Sequence, residues 1–242
     1  MTPLIQSMTK IASAGGKYDL TEFQWFDATN AMKKQFQSNP DIDVTKEVSS
    51  PMPFHQMFIC IELRGHKLLM RVQEEEDNNG TLFCTVASIG QTTKGPVSLG
   101  AFCIFKENGT ATITKLDEEN TKDEDVQNGV SVIAMFQNSL KYQSVQVYQP
   151  AVKHTYTNQR LIKKGKPPSY EWKTVTIEPR TASNSLGGTH ASPRLHDRRG
   201  HWRTMKSGKK VWVRQCKVGD PSKGVIFHDY KFGETSANLN DC

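Results

Sequence analysis

Between residues 54 and 116, apolar and polar positions alternate in short runs divided by glycine-bearing turns. "FHQMFICIELRG", "HKLLMRVQE" and "TLFCTVASIG" read as strands because they are short apolar runs separated by Gly-containing turns. Asn79-Gly80 is a strong hairpin signal, and "VSLGAFCIFKENGTATITKL" repeats the device at Asn108-Gly109. Both dipeptides accept the positive φ angles of a tight turn. About five antiparallel strands are predicted over this stretch.

Two other stretches carry helical spacing. In "DLTEFQWFDATNAMKKQFQ", Asp19 is placed to cap, Glu22 completes a capping box, and Phe23, Phe26 and Phe36 fall near one face. In "VQNGVSVIAMFQNSLKYQ", Val126, Val130, Ile133 and Leu140 form an apolar stripe. An acidic run precedes that stripe and Lys141 lies near its end, as the helix dipole favours. Gly129 weakens this helix slightly. Residues 1–17 read as frayed, and "SNPDIDVTKEVSSPMP", with Pro40, Pro51 and Pro53, as a polar connection.

Beyond residue 150 the pattern changes. A Pro-Pro pair precedes a predicted strand over Glu171–Ile177, and "RTASNSLGGTHASP" reads as a linker or long loop. The prediction is an α+β protein: a mainly antiparallel sheet with two amphipathic helices, followed by a basic β-hairpin module. The expected division is a scaffold over 1–150 and a basic module over 151–242.

Composition narrows the setting. Hydrophobic residues make up 36% and charged residues 23% of the 242, which is ordinary for a globular chain. No apolar run approaches the ~18 residues of a membrane helix, so no membrane partner is expected. "MTPLIQSMTKIASAGG" has one lysine and no sustained apolar region, which argues against a secretory signal. The cysteines form no C-x-x-C pair, and Cys60, Cys84 and Cys103 lie inside strand-like runs as small hydrophobes. A reducing, cytoplasmic compartment is expected, and no cofactor motif is present in the first 150 residues.

Net charge is +6, and its distribution is uneven. Residues 151–232 hold 18 Lys/Arg against 5 Asp/Glu, whereas residues 1–150 hold 13 against 18. A basic half on a mildly acidic scaffold suits a polyanion binder; the plainer alternative is a solvated basic surface.

The concentration of charge falls on "HDRRGHWRTMKSGKKVWVRQ". With Ser207-Gly208 as the loop, Lys206 pairs with Lys209, Arg203 faces Trp212, Trp202 faces Val213 and His201 faces Arg214. Trp202, Thr204, Val211 and Val213 would then form a core face. His201, Arg203, Met205, Lys210, Trp212 and Arg214 would form a basic face with an aromatic at its centre. Such a face can pair phosphates while Trp212 stacks on a base, although Arg203 stacked on Trp212 as surface decoration fits the same pattern. Because Ser-Gly is a weak turn signal, a one-residue slip would exchange the faces.

Arg198, Arg199 and Gly200 suit a turn approaching a phosphate, with guanidinium forks matched to its oxygens. The candidate nucleic-acid-binding residues are Arg194, His196, Arg198, Arg199, His201, Arg203, Lys206, Lys209, Lys210, Trp212 and Arg214. No catalytic or metal role is assigned. Zinc is disfavoured because, of His190, His196, His201, Cys216 and His228, only His196 and His201 have paired spacing. Acid–base cleavage of RNA by His196, His201 and Arg199 has the right residue types, with Asp197 as an orienter, but not a distinctive pattern.

"SPRLHDRRGHWR…SGKKVWV…VGD…G…HDY" resembles the C-terminal segment of an uncharacterised family of bacteriophage and prophage proteins. The resemblance spans residues 189–232. It implies a phage-encoded protein acting in the cytoplasm of an infected bacterium. It further implies that His190, Arg194, His196, Arg199, Gly200, His201, Lys209 and Trp212 belong to one unit. It carries no activity with it. The expected partner is nucleic acid, DNA or RNA; the alternative is a host protein such as a polymerase or a defence factor, and a nuclease is the third reading.

Overall fold

The computed structural model describes residues 2–14, 22–38, 44–141, 144–148, 171–179 and 194–233. Expectations for residues 15–21, for the linker over 180–193 with His190, and for His154 and Cys242 lie outside them.

The antiparallel meander predicted over 54–116 is present. It runs β2 (Gln56–Leu63), β3 (His66–Glu76), β4 (Leu82–Thr92), β5 (Gly95–Glu107) and β6 (Thr110–Lys115), paired in sequence order. Asn108 and Gly109 both take positive φ, 50° and 79°, so the β5–β6 turn is the type that its sequence signals.

The α+β class holds, with more helix than the sequence pattern suggested. Residues 3–14 are not frayed: they form α1 (Pro3–Ala14), with Pro3 in its first turn and the Thr2 hydroxyl accepting from the Ile5 N–H at 3.3 Å. Leu4, Ile5, Met8 and Ala12 are buried at helical spacing. The single helix expected over 19–37 is instead β1 (Gln24–Asp27) followed by α2 (Thr29–Ser38). The apolar Phe23-x-Trp25-Phe26 group supplies both faces of an interior strand rather than one face of a helix. Asp27 marks the junction by accepting from the Thr29 N–H at 3.2 Å. A short α3 (Val44–Val48) lies within the stretch expected as a polar connection.

α4 (Asp123–Lys141) matches the second predicted helix. Gly129 has a packing reason: a Cβ there would meet the Phe102 ring at 2.7 Å, so its absence lets α4 lie close on β5.

After α4 come β7 (Ser144–Tyr148), β8 (Glu171–Pro179), β9 (Arg194–Arg198), β10 (His201–Thr204), β11 (Lys210–Val213), β12 (Cys216–Val218) and β13 (Asp220–Phe232). The sheet order is β12-β9-β13-β1-β2-β3-β4-β5-β6, with β8 also on β13 and β7 on β8. β13 pairs in parallel with β1, Trp25 opposite Asp229, and β1 pairs in parallel with β2. Strands from either side of position 150 therefore share one sheet.

Each face of that sheet has its own core. Phe26, Phe54, Met57, Ile59, Phe102, Phe136, Tyr230 and Phe232 pack on the face covered by α2, α3 and α4. On the other face α1 covers Trp25, Phe58, Cys60 and Leu69. Asp229, fully buried on this side, accepts from the Thr2 N–H at 3.2 Å at the start of α1. Its negative charge complements the positive end of the helix dipole.

One ion pair lies inside the larger core. Lys106 Nζ sits 2.6 Å from Glu74 Oε1, with the side chains 2% and 4% exposed. Lys106 also donates to the Ser50 carbonyl at 2.6 Å, and Glu74 accepts from the Met52 N–H at 2.9 Å. The pair thereby fixes the 50–52 segment across β3 and β5. Among the described residues, no helix is long and apolar enough to cross a membrane.

Candidate nucleic-acid interface

The candidate site is built from β9, the β10–β11 hairpin and the turns between them. β9 runs parallel to β13, and β12 folds back on it with Lys217 opposite Asp197. Asp197 accepts from the Gln24 side-chain amide at 3.1 Å, tying β9 to the start of β1. The chain then turns through Gly200, a buried position whose N–H donates to the Pro53 carbonyl at 2.7 Å.

β10 and β11 form a two-stranded sheet separate from the main one. Their register differs from the expected one by one residue. His201 lies opposite Val213, Trp202 opposite Trp212, Arg203 opposite Val211 and Thr204 opposite Lys210. The Met205 N–H donates to the Lys209 carbonyl at 2.8 Å, so the loop holds three residues, Lys206 to Gly208, rather than Ser207-Gly208 alone. Gly208 takes φ 80° at the last loop position, as a three-residue hairpin requires.

This register re-sorts the faces. Trp202, Trp212, Thr204 and Lys210 share one face; His201, Arg203, Val211 and Val213 share the other. The Arg203–Trp212 pair is therefore not formed, and the proposed core face is not a core face. Trp202, Thr204 and Val211 are all exposed. Trp212 is half-buried over Gly200, where a Cβ would meet its ring at 2.6 Å. Its ring meets that of Trp202 edge-on, centroids 5.3 Å apart.

The charged candidates divide into two groups. Arg203, Lys206, Lys209 and Lys210 are exposed on the hairpin, and Arg194 and Arg198 are exposed on β9. Arg214 is exposed but bonded to Glu76 at 3.3 Å, which holds the hairpin base to the end of β3. Gln215 adds a second tie, its side-chain Oε1 accepting from the His55 N–H at 3.2 Å.

Arg199, His196 and His201 are half-buried. Burial pulls the Arg199 guanidinium below its ordinary pKa, while nearby Tyr230 opposes that shift. The His196 Nδ1 lies 2.9 Å from the Arg194 carbonyl, and its ring stands edge-on to buried His228, centroids 5.6 Å apart. His201 Nδ1 lies 3.3 Å from the Arg199 carbonyl. Sequence spacing linked His196 to His201, whereas the fold brings His196 to His228, across strands and thirty-two positions along the chain.

Among the described residues, no three His, Cys, Asp or Glu side chains converge as a metal site. Cys60, Cys84 and Cys103 are buried and Cys216 is exposed. Burial pushes the Cys84 thiol up to about 12, and those of Cys60 and Cys103 also rise. No family model, curated protein or solved structure matches this chain.

Proposed function

We infer that this protein binds nucleic acid through the β10–β11 hairpin and performs no chemistry there. The observation that carries the reading is the exposure of Arg203, Lys206, Lys209 and Lys210 on a ribbon that makes its principal contacts with itself. No acidic side chain among the described residues pairs with these four. A cluster of exposed cations attracts a polyanion and releases its counterions. Arg194 and Arg198 extend the basic surface along β9. The likeness of residues 189–232 to phage and prophage proteins supports an action in the cytoplasm of an infected bacterium.

Fluorescence-anisotropy titration of labelled DNA and RNA tests this reading. Wild type binds at low salt, and Lys206→Ala/Lys209→Ala/Lys210→Ala loses most of the affinity. Equal binding by the triple variant, or no binding by wild type, overturns it.

A second reading, capture of a host protein, draws on the sheet face of β4 and β5. Phe105 is 40% exposed there, and its ring lies 5.9 Å from that of Phe83. Recovery of one host protein by wild type, lost in Phe83→Ser/Phe105→Ser, would favour it.

A further inference from the structure

We propose that the hairpin is a reader of double-stranded DNA that enters the major groove as a two-stranded ribbon. The inference rests on the binding reading above and assigns that site its ligand form.

The shape is the first argument. β10 and β11 are four residues each, so the arms extend about 13 Å at about 3.3 Å per residue, with strands about 4.8 Å apart. The major groove of B-DNA is about 12 Å wide and about 8.5 Å deep, and it admits a two-stranded ribbon. Among the described residues, neither strand pairs with the main sheet; the hairpin is tied to the body at its base, through Arg214, Gln215 and Trp212.

The distribution of side chains is the second. Arg203 and Val211 stand side by side on the face opposite the tryptophans, both exposed, and Met205 near the tip is 45% exposed. A guanidinium reads the paired acceptors of guanine in this groove, and apolar groups meet the thymine methyl. Lys206 and Lys209 at the loop and Arg198 on β9 are exposed, and in this pose they are the cations left to meet the bordering phosphates. Base contact and phosphate contact are thus divided between different residues.

The tryptophans offer little to a single strand: Trp212 lies half-buried on Gly200, and only Trp202, 39% exposed and edge-on to Trp212, presents a ring, whereas single strands stack successive bases on several aromatics. A-form RNA is disfavoured as well, because its major groove is too deep and narrow for side chains to read.

The test compares the full chain on four labelled ligands of matched sequence: double- and single-stranded DNA and RNA. It adds selection of bound duplexes from a random DNA pool. The expected result is duplex DNA bound at least about tenfold tighter than the other three, with a base preference recovered from the pool. Arg203→Lys retains the charge but not the fork. It is expected to keep binding while losing about tenfold in discrimination at one base position. Lys209→Ala weakens all sequences alike. Tighter binding to single strands or to duplex RNA, lost in the lysine variants, overturns the duplex assignment and leaves the binding reading standing. A base preference unchanged in Arg203→Lys also overturns it. No binding to any ligand overturns both.

Discussion

Replacing Lys106 by Met isolates the Glu74 carboxylate inside the core. In the native protein that carboxylate meets one ammonium at 2.6 Å and one backbone N–H, from Met52, at 2.9 and 3.0 Å to its two oxygens. The substitution leaves only the backbone donor, in a site where both side chains are under 5% exposed. It also removes the ammonium from the Ser50 carbonyl, which keeps the Gln137 amide at 2.8 Å. Stranding one partner of a buried ion pair costs about 3–5 kcal/mol. With a urea m-value of roughly 2–3 kcal/mol/M, the unfolding midpoint falls by about 1–2.5 M.

Glu74→Gln/Lys106→Met separates charge from packing. Gln still accepts from Met52, and no charge remains, so the double variant costs about 1–2 kcal/mol, less than Lys106→Met alone. Urea titrations followed by far-UV circular dichroism give both values. A loss under about 1 kcal/mol for Lys106→Met, or a double-variant loss equal to the sum of the singles, would refute the reasoning.

Other substitutions probe other joints. Gly200→Ala drives a methyl into the Trp212 ring, costs about 1–3 kcal/mol and shifts tryptophan emission as the hairpin base rearranges; an unchanged spectrum and midpoint would contradict the packing. Asp229→Ala removes the acceptor at the start of α1 and costs about 1–2 kcal/mol in urea titration; a neutral result would mean that α1 is held by its apolar face alone. In native protein a thiol reagent labels Cys216 promptly, and labels Cys60, Cys84 and Cys103 only on unfolding. Peptide mapping reads this directly, and native labelling of Cys84 would show that β4 opens.

What could be read from the chain follows from how local each signal is. The β2–β6 meander was legible because alternation and Asn-Gly turns act over a few residues. α4 was legible because its stripe is long. β1 was not: four residues buried on both faces have no period to detect, and a neighbouring Phe36 made a helical spacing by coincidence. α1 carried a signal in Leu4, Ile5, Met8 and Ala12, together with Pro3 after Thr2, and this spacing was outweighed by the small polar residues around it. The placement of β13 between β9 and β1 depends on parallel pairing across some two hundred positions, which no local pattern encodes.

The same logic governs the candidate site. Its cations and their concentration were visible as composition, but their arrangement depended on one loop residue. A three-residue turn in place of two moved Trp212 from Arg203 to Trp202 and placed Arg203 beside Val211. The His196–His228 contact was hidden for a different reason: the two strands are brought together by the main sheet, not by the hairpin.

The most direct test of the central claim is the salt dependence of binding. Affinity for duplex DNA is measured between about 50 mM and about 200 mM salt for wild type and for Lys206→Ala/Lys209→Ala. If the hairpin lysines neutralise phosphates, log Kobs falls linearly with log salt, and the double variant's slope is shallower by about two. Equal slopes would place the phosphate contacts elsewhere on the protein and contradict the account; a flat line for wild type would show that no phosphates are neutralised and contradict it as well.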